Sequence, residues 1–428
     1  MGTTSRLCRG TGIRYKMIKG GSMVAVGIDD LNLYASSLSV DAADIALARG
    51  RSEREVRKME LICRSLPPNY EDPISLAVNA ANPIVSSMDK QEIELLIVAT
   101  ESGVDYGKPL SSYVHKYLGL NARCRNIEFK HACYAGTAAV QLATSWVKEN
   151  GGKAKALVVM ADMARKIFDD PAEPAEGAGA VAVLVAAEPR VLALEPVNAY
   201  VSREVYDVTR PTPTLERANA SLSLGAYLDL FEMALADYRR HVGNVSLDEY
   251  FQYIIYHTPL VPLVREAHHL FVEANCEDAT AQEVEESFMR KVRPSFVYCQ
   301  QIGNIYGGSL YAALAGLVDT ASPLEPGSRI GLYSYGSGSC AELFSGVIAE
   351  HARITVGKRA IAQALAGRRK VGIGDYERLA IEHERGLTQP EFVPDRSIIP
   401  EHYDQAYRGK GLLVLDRVTD YYRTYSWS

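Results

Sequence analysis

Apolar residues in this chain fall in short unbroken runs rather than in alternation with polar residues. Such runs predict strands of a sheet that is covered on both faces, because a strand with one face in water alternates. In the first half of the chain they occupy residues 23–28, 93–100, 156–160 and 180–186. Segments predicted to be helical lie between them, at residues 52–65, 73–86, 111–117 and 136–149. The alternation of strands and helices predicts a parallel α/β architecture.

The second half of the chain repeats this order of elements. Its predicted strands and its predicted helix of small residues are, in chain order, residues 253–256, 309–318 (the helix), 329–335 and 342–348. A strand ends at Glu101 in the first half and at His257 in the second, and a helix opens near Cys133 and near Asn304. This correspondence predicts a duplicated βαβαβ unit with its seam near residues 188–200.

The same correspondence predicts where a site lies. In α/β folds, ligands bind beyond the carboxyl ends of the strands. Glu101, Cys133, His257 and Asn304 all fall at strand ends or helix starts. Two halves that face each other across a pseudo-twofold axis bring the four residues together, so we expect one site at that axis.

The composition is typical of a globular protein. Of 428 residues, 47% are apolar and 23% are charged, which excludes disordered and fibrous classes. The net charge of −6 argues against a nucleic-acid-binding protein. No run of about 18 apolar residues occurs, so no membrane helix is predicted. Residues 1–22 are basic, lack an apolar core, and are expected to be an extension outside the fold.

The cysteines are seven in number, scattered, and without a CxxC pair. This spacing fits neither a disulfide framework nor a zinc site, so we expect reduced thiols in a cytoplasmic protein and no metal. Cys133 stands apart, because the small residues that follow it predict a helix N-terminus. The helix dipole there favours the thiolate and hence a nucleophile. A buried structural cysteine is the alternative.

Glu101 and His257 are the candidate partners of Cys133. A carboxylate at the end of a buried strand is desolvated, which raises its pKa and suits proton transfer; a turn-forming acid is the alternative. His257 ends the corresponding strand of the second half, although most isolated histidines are structural. His131, two residues before Cys133, competes with His257 and is predicted to lie on the same face as the cysteine.

Five sequence blocks in order resemble the 3-hydroxy-3-methylglutaryl-CoA synthase family. They are ATES at 99–102, ACYAGTAA at 132–139, YHTP at 256–259, GNIYGG at 303–308 and YSYGSG at 333–338. The resemblance covers residues 23–428. It implies the thiolase fold, with duplicated βαβαβαββ halves at residues 23–195 and 196–428 that form five layers, αβαβα. It also implies a homodimer and a Claisen-type condensation that needs no cofactor.

The resemblance also implies a role for each site residue. Cys133 carries the acetyl group, Glu101 is the acid and base, and His257 acts with Asn304 on the acceptor thioester. The main-chain N–H groups of Cys133 and Ser337 are expected to form the oxyanion hole. The remaining substrate-binding residues implied are Tyr335, Gly336 and Asp207.

Within the family, the blocks are more similar to the branch that works in polyketide assembly lines. That branch installs a β-branch on a chain carried by the phosphopantetheine of an acyl carrier protein, so donor and acceptor carrier proteins are the expected partners. Metabolic members carry a lysine after the histidine that meets the CoA phosphates, whereas the corresponding position here is Pro262. Lys166 is a second departure from the metabolic pattern. A metabolic synthase that uses acetyl-CoA and acetoacetyl-CoA is the alternative.

Two further alternatives come from the same fold. A ketoacyl synthase III also uses cysteine, histidine and asparagine, but it lacks a glutamate such as Glu101. A degenerate subunit that only docks partners is expected to have lost the nucleophile, which is present here as Cys133.

A carrier protein is acidic, and this chain is itself net negative, so docking requires a local cationic surface. Arg265 lies beyond His257 on the predicted site face and is the first candidate. The second candidate is the cluster formed by Arg290, Lys291 and Arg293.

Overall fold

The structure is a computed structural model that describes residues 24–165, 168–243 and 245–428. The extension predicted at 1–22 and the departure at Lys166 lie outside the described residues. The strands, numbered β1 to β16 in chain order, are Val26–Tyr34, Leu38–Asp41, Cys63–Leu66, Ile93–Ala99, Arg125–Phe129, Lys155–Met163, Ala178–Ala187, Leu192–Ser202, Val208–Thr209, Arg217–Ala218, Tyr253–Tyr256, Arg329–Gly336, Cys340–Ile348, Arg369–Lys370, Leu413–Thr419 and Tyr422–Trp427.

The α-helices, numbered α1 to α15, are Ala42–Ala48, Glu53–Met59, Pro73–Val85, Leu110–Leu118, Ala135–Glu149, Ala220–Val242, Leu247–Tyr250, Val261–Asn275, Ala281–Lys291, Phe296–Ile302, Ser309–Thr320, Ala352–Gly357, Ile361–Ala366, Ile373–Thr388 and His402–Ala406. Short 3₁₀ turns are Lys90–Glu92, Arg293–Ser295 and Tyr306–Gly308. No helix of the described part is long and apolar enough to cross a membrane.

The large sheet has nine strands in the order β11-β12-β13-β8-β1-β7-β6-β4-β5. Read outward from the central pair, β1-β7-β6-β4 and β8-β13-β12-β11 have the same order within each half. The two halves meet where β1 and β8 pair antiparallel, at Gly27–Ala193 and Ile28–Leu192. A Cβ on Gly27 would overlap the main chain at Leu192, so this close pairing requires glycine.

The sheet is mixed, so the prediction of a parallel sheet is wrong in part. Strands β4–β5, β4–β6 and β11–β12 pair parallel, as expected. Strands β6–β7 and β12–β13 pair antiparallel. Each of these two pairs is joined by a connection without a helix, and an antiparallel pair needs no crossover helix.

Three hydrophobic cores define five layers. The central core packs α5 and α11 between the two half-sheets. A second core packs α3 and α4 on the outer face of the first half-sheet, and a third packs α6 and α8 on the outer face of the second. Ile97 and Val98, adjacent on β4, therefore face different cores. The layers confirm the five-layered thiolase fold and the covering of both sheet faces.

Two predicted elements differ from the structure. The helix predicted at 52–65 ends at Met59, because Glu60 adopts a left-handed conformation (φ 52°), and β3 follows. The strand predicted at 23–28 instead runs from Val26 to Tyr34. The strand continues through Asp29 and Asp30, because ion pairs with arginines allow both acids to be buried inside it.

Candidate active site

A cleft at the junction of the two halves contains the four residues that the duplication was expected to bring together. Glu101 follows β4, Cys133 precedes α5, His257 follows β11, and Asn304 precedes the 3₁₀ turn before α11. All four line the cleft, whose empty volume including its mouth is about 820 Å³. The halves are tied together here by main-chain hydrogen bonds from Gly177 N to Asn304 O (2.8 Å) and from Asn304 N to Ala175 O (2.7 Å).

The backbone holds Cys133 in place immediately before α5. Ala132 adopts a positive φ of 42°, which turns the chain sharply between β5 and the helix. Gly336 of the second half packs so closely that a Cβ would lie 2.5 Å from the amide nitrogen of Tyr134. The Tyr134 hydroxyl donates to Glu342 on β13 at 2.7 Å. The position of Cys133 is therefore set by contacts across the two halves.

The protonation of Cys133 corrects the prediction that the helix N-terminus favours the thiolate. Burial raises the pKa of the Cys133 thiol well above its ordinary value, and nearby carboxylates, first Glu101 and then Glu176, raise it further. A helix dipole is worth about 0.3–1 kcal/mol at its end, which is small beside these effects. The resting residue is a thiol.

Glu101 lies between the carboxylate of Asp162 and the guanidinium group of Arg210. Its main-chain N–H donates to Asp162 Oδ1 at 2.9 Å, which fixes the turn after β4. Arg210 donates to the Glu101 carbonyl at 2.6 Å and to its Oε1 at 3.3 Å. Burial raises the pKa of Glu101 to about 8; Arg210 opposes this shift, and the negative charges of Asp162 and Glu216 add to it. A carboxyl group with this pKa can both take and return a proton near neutral pH.

Arg210 is a site residue that the sequence reasoning missed. It lies in the hairpin formed by β9 and β10, and its guanidinium also pairs with Glu216 of the same hairpin and lies 5.8 Å from the ring centroid of Tyr306. The available signal was the segment Arg210–Glu216, in which the two opposite charges stand six residues apart. Nothing in that spacing relates either residue to Glu101.

Glu176 is a second acid in the cleft. Its pKa is raised to about 7, chiefly by burial and then by the charge of Glu216. Its Oε2 has no hydrogen-bond partner within the described part of the chain. The cleft therefore contains, beside Asn304, a second acid whose pKa lies near neutrality.

His257 and Asn304 present neutral polar groups. Burial lowers the pKa of His257 to about 3, so the imidazole is uncharged. Its carbonyl accepts from the Tyr227 hydroxyl at 2.9 Å. Asn304 Oδ1 accepts from Tyr306 N and from Ser309 Oγ, both at 2.9 Å. The amide NH₂ of Asn304 is thus the part of its side chain that can donate to a ligand.

The end of β12 contributes Tyr335 to the cleft wall, and the loop that follows it contributes Ser337. Asp207, predicted to bind substrate, does not line the cleft. It is buried behind the loop, where it accepts from the Tyr335 hydroxyl and from Gly338 N, both at 3.0 Å. Asp207 therefore holds the loop that carries Ser337. Gly336 likewise packs against the Cys133 turn instead of lining the cleft.

The cleft mouth near α8 is apolar. Pro259 and Leu263 line the cleft, and Leu260 and Pro262 are exposed beside them at the start of α8. None of the described lining residues is a lysine or an arginine. His131, the predicted competitor of His257, is exposed and packs edge-on against Tyr134.

The candidate docking cations differ in their environments. Arg265 on α8 is ion-paired with Glu60 at 2.9 Å and with Glu285 at 2.6 Å. The prediction that Lys291 is a surface cation for docking is wrong, because Lys291 is buried and donates to the carbonyl of Phe251 at 2.7 Å. Its stem packs into the second half and its charge is used internally. Arg290 is exposed and Arg293 is partly buried.

Among the described residues, no group of three or more histidine, cysteine, aspartate or glutamate side chains could hold a metal ion. The free cysteines of that part of the chain are Cys63, Cys124, Cys133, Cys276, Cys299 and Cys340.

Comparison with known proteins identifies the family. Residues 23–189 match the description "hydroxymethylglutaryl-coenzyme A synthase N terminal", and residues 266–427 match the corresponding C-terminal description. The polyketide biosynthesis 3-hydroxy-3-methylglutaryl-ACP synthase PksG of Bacillus subtilis is 35% identical over 95% of this chain and 100% of its own length. The hydroxymethylglutaryl-CoA synthase of Enterococcus faecalis is 32% identical over 84% of this chain and 92% of its own.

A solved structure agrees with these matches. The HMG synthase of the curacin biosynthetic pathway superposes with a TM-score of 0.90 at 37% identity, over 94% of this chain and 100% of that one. The same synthase has been solved in complex with acetyl donor-ACP, with a TM-score of 0.89 to this chain. The fold, the matched halves and these relatives lead to one conclusion: the chain belongs to the hydroxymethylglutaryl-CoA synthase family.

Proposed function

We propose that this protein condenses an acetyl group, delivered by an acetyl-acyl carrier protein, with a β-ketoacyl chain on a second carrier protein. The product is a β-branched chain of the kind made in polyketide biosynthesis. The observation that carries the proposal is the joining of Glu101, Cys133, His257 and Asn304 in one cleft whose side next to α8 is apolar. The similarity to PksG and to the curacin synthase, both named for such pathways, supports it.

In the first step, the sulfur of Cys133 attacks the acetyl carbonyl of the donor thioester. The oxyanion that forms accepts hydrogen bonds from the main-chain N–H groups of Cys133 and Ser337. The intermediate collapses to acetyl-Cys133, and the thiol proton of Cys133 leaves with the departing carrier thiol. Because the resting residue is a thiol, the donor must be bound before the proton is lost.

In the second step, Glu101 removes a proton from the methyl group of acetyl-Cys133. The enolate carbon then attacks the β-carbonyl carbon of the acceptor, and Glu101 returns the proton to the alkoxide. Arg210 acts as a positioning residue, because its two hydrogen bonds hold Glu101 at the end of β4. It also keeps more of Glu101 ionised than burial alone would allow.

The acceptor lies against the second half of the protein. A neutral His257 and the NH₂ group of Asn304 donate to its carbonyl oxygens, which orients the β-carbonyl for attack. Tyr335 and Ser337 complete that wall. Water finally cleaves the thioester at Cys133, which frees the thiol and leaves a carboxylate on the branch. No step draws on a metal or an organic cofactor.

A carrier protein fits the mouth of the cleft better than CoA does. The nucleotide phosphates of CoA need cations near the entrance, whereas a phosphopantetheine arm passes an apolar mouth. Pro259 and Leu263 line that mouth, and Pro262 lies beside them on α8. Arg265, on the same helix, is the first docking candidate, and the exposed Arg290 with Arg293 is the second. Lys291 is not a docking candidate, because it is buried.

A homodimer joined through the free edge of β5 is part of the proposal. Strand β5 ends the nine-stranded sheet, so no strand of the described residues pairs with one side of its main chain, and Ile127 on it is exposed. An exposed edge of this kind favours pairing with a second copy. We place the reaction in the cytoplasm, where the free thiols of the protein stay reduced.

The test compares two acetyl donors and two acceptors, each offered either on a carrier protein or on CoA. The purified protein is offered acetyl-carrier protein or acetyl-CoA, and then acetoacetyl-carrier protein or acetoacetyl-CoA, and Cys133 and the product are followed by mass spectrometry. We expect faster acetylation and condensation with the carrier-bound pair. A preference for both CoA thioesters would favour a metabolic synthase, and failure to form acetyl-Cys133 with any donor would favour a docking subunit.

A further inference from the structure

A second cavity lies apart from the catalytic cleft and shares no lining residue with it. It encloses about 550 Å³, including its opening. Its walls are β3, the end of β6 with the residues that follow, and α14. Two arginines, Arg64 on β3 and Arg165 after β6, line it together with His383 of α14.

Arg165 is a buried charge that forms no direct ion pair within the described part of the chain. The residue is 9% exposed, and its Nη2 donates to the carbonyl of Gly103 at 3.3 Å. Its Nε has no hydrogen-bond partner, and it pairs with no carboxylate within residues 24–165, 168–243 and 245–428. Buried charges are normally paired, because leaving water costs several kcal/mol per ion. Burial lowers the pKa of Arg165 to about 10, so the guanidinium is still charged at neutral pH.

Arg64 is a second arginine of this cavity whose Nε has no hydrogen-bond partner among the described residues. It is 4% exposed, and its Nη1 donates to the main-chain carbonyl of Glu173 at 2.7 Å and to the Tyr376 hydroxyl at 3.1 Å. Its Nε has no partner within the described part of the chain. Arg64 therefore donates to neutral groups, and its Nε is a second buried donor without a partner among the described residues.

The histidine and the glutamate that line the cavity, His383 and Glu384, leave its net charge positive. Burial lowers the pKa of His383 to about 4, and the charges of Arg165 and Arg64 lower it further, so the imidazole is neutral. His383 Nε2 lies 3.2 Å from the carbonyl of Pro68. Glu384 also lines the cavity, but it is already engaged in an interaction.

We propose that this cavity is a binding site for a small oxyanion of the carboxylate or phosphate class, held between the guanidinium groups of Arg64 and Arg165. Arginine binds planar carboxylates and phosphates through its N–H edges, and such charge-assisted hydrogen bonds are the strong ones. A bound anion satisfies both unpartnered Nε groups and balances the buried charge of Arg165.

The site is within electrostatic reach of Asp162 and Glu216, two acids that also act on Glu101. The positive charge of Arg210 lowers the pKa of Arg165, while Asp162 and Glu216 raise it. An anion beside Arg165 therefore offsets the repulsion between Arg165 and Arg210. The site adds to the proposed function and does not depend on it.

The experiment measures binding, not turnover. Sodium phosphate and sodium acetate are titrated into the purified protein by calorimetry, and thermal unfolding is followed at matched ionic strength with sodium chloride as the reference salt. We expect saturable binding of at least one anion and a rise in melting temperature of about 2 °C or more. The two salts distinguish the phosphate source from the carboxylate source.

Variants make the result specific. Arg165→Met should weaken binding at least about tenfold and should not lower the melting temperature of the anion-free protein, because it removes an unbalanced charge. Arg64→Lys, which keeps the charge but loses the forked edge, should weaken binding in the same direction. Arg359→Met is the matched control: this buried arginine pairs with Asp30 outside the cavity, so its loss should lower stability and leave anion binding unchanged.

Three results would overturn the proposal. One is the absence of saturable binding of either anion by the wild-type protein. Another is unchanged affinity in the two cavity variants. The third is a destabilisation by Arg165→Met as large as that of the control, which would mean that the charge is balanced within the protein.

Discussion

Arg210 contacts Glu101 twice, through its main-chain carbonyl at 2.6 Å and through its carboxylate at 3.3 Å. The pair joins a short hairpin of the second half to the end of β4 in the first. Its charge also opposes the effect of burial on the pKa of Glu101.

Replacing Arg210 with Met should slow condensation and shift its pH dependence upward. Without the guanidinium the pKa of Glu101 rises above about 8. Glu101 must be ionised to act as a base. Each rise of its pKa by one therefore lowers the ionised fraction of Glu101 at pH 7 about tenfold. Condensation rates measured from pH 6 to 10 check this. Arg210→Lys should restore part of the profile, and an unshifted profile in Arg210→Met would leave Arg210 with a structural role only.

The Glu101→Gln variant should separate the two half-reactions. The amide keeps the shape of the side chain but cannot take a proton, and general bases contribute about 10²–10⁴-fold. Acetyl-Cys133 should form at nearly the wild-type rate and persist after the acceptor is added. In the wild type, condensation should rise with pH through about 8, as Glu101 ionises. An equal loss of both steps in the variant would contradict this assignment.

The Cys133→Ser variant should form no acyl-enzyme. A serine hydroxyl is a much weaker acid than a thiol, and burial together with the surrounding carboxylates already disfavours a negative charge at this position. Intact-protein mass spectrometry after exposure to acetyl-carrier protein measures the modification directly. Acetylation of the variant at the wild-type rate would mean that another residue is the nucleophile.

Tyr134→Phe should slow acetyl transfer without removing it. The variant loses the hydrogen bond from Tyr134 to Glu342 and leaves a buried carboxylate without that donor, at a cost of about 1–3 kcal/mol. We expect a lower melting temperature and acetylation that is slowed about tenfold. Ser202→Ala, which removes the hydroxyl bonded to Cys340 on the same strand as Glu342, is the control and should leave acetylation unchanged.

Arg265→Glu should slow acetylation by acetyl-carrier protein, most strongly at low salt. The change adds a third acid beside Glu60 and Glu285, close to the mouth of the cleft. Exposed charges act over a Debye length of about 8–10 Å, so salt should weaken the effect. A small acetyl-thioester should react normally. Arg240→Glu is the control, since it lies at the far end of α6, about 25 Å from Ser223 in the cleft.

Equal losses with the carrier-bound and the small donor would instead place Arg265 in folding or catalysis. No loss with either donor would remove it from the docking surface.

The sequence was informative wherever a feature is local. The apolar runs at β4, β6 and β7 were sufficient to predict strands covered on both faces, and the order of elements brought Glu101 and His257 to one site. Family blocks then supplied roles that the pattern alone left open. These features depend on neighbours in sequence or on the repeated order of strands.

What the sequence did not reveal depends on distant contacts. Arg210 reaches Glu101 across 109 positions from a hairpin with two-residue strands, and no periodicity marks such a hairpin. The direction of the Cys133 pKa was missed because the burial that mainly raises it, and the acids that add to it, come from separate segments. Lys291 looked like a surface cation because its position in α9 does not reveal that its ammonium group reaches the carbonyl of Phe251.

The contact between Gly136 on α5 and Gly307 before α11 limits how the cleft can be remodelled. A Cβ on Gly136 would overlap the main-chain oxygen of Gly307. The separation between α5 and the start of α11 is therefore set by main-chain atoms in direct contact. Laboratory evolution toward bulkier acyl groups has no side chain to exchange at this contact, which lies beside the main chain of Cys133. New substrate range has to come from the rim, at positions such as Val208, Ala218 and Leu263.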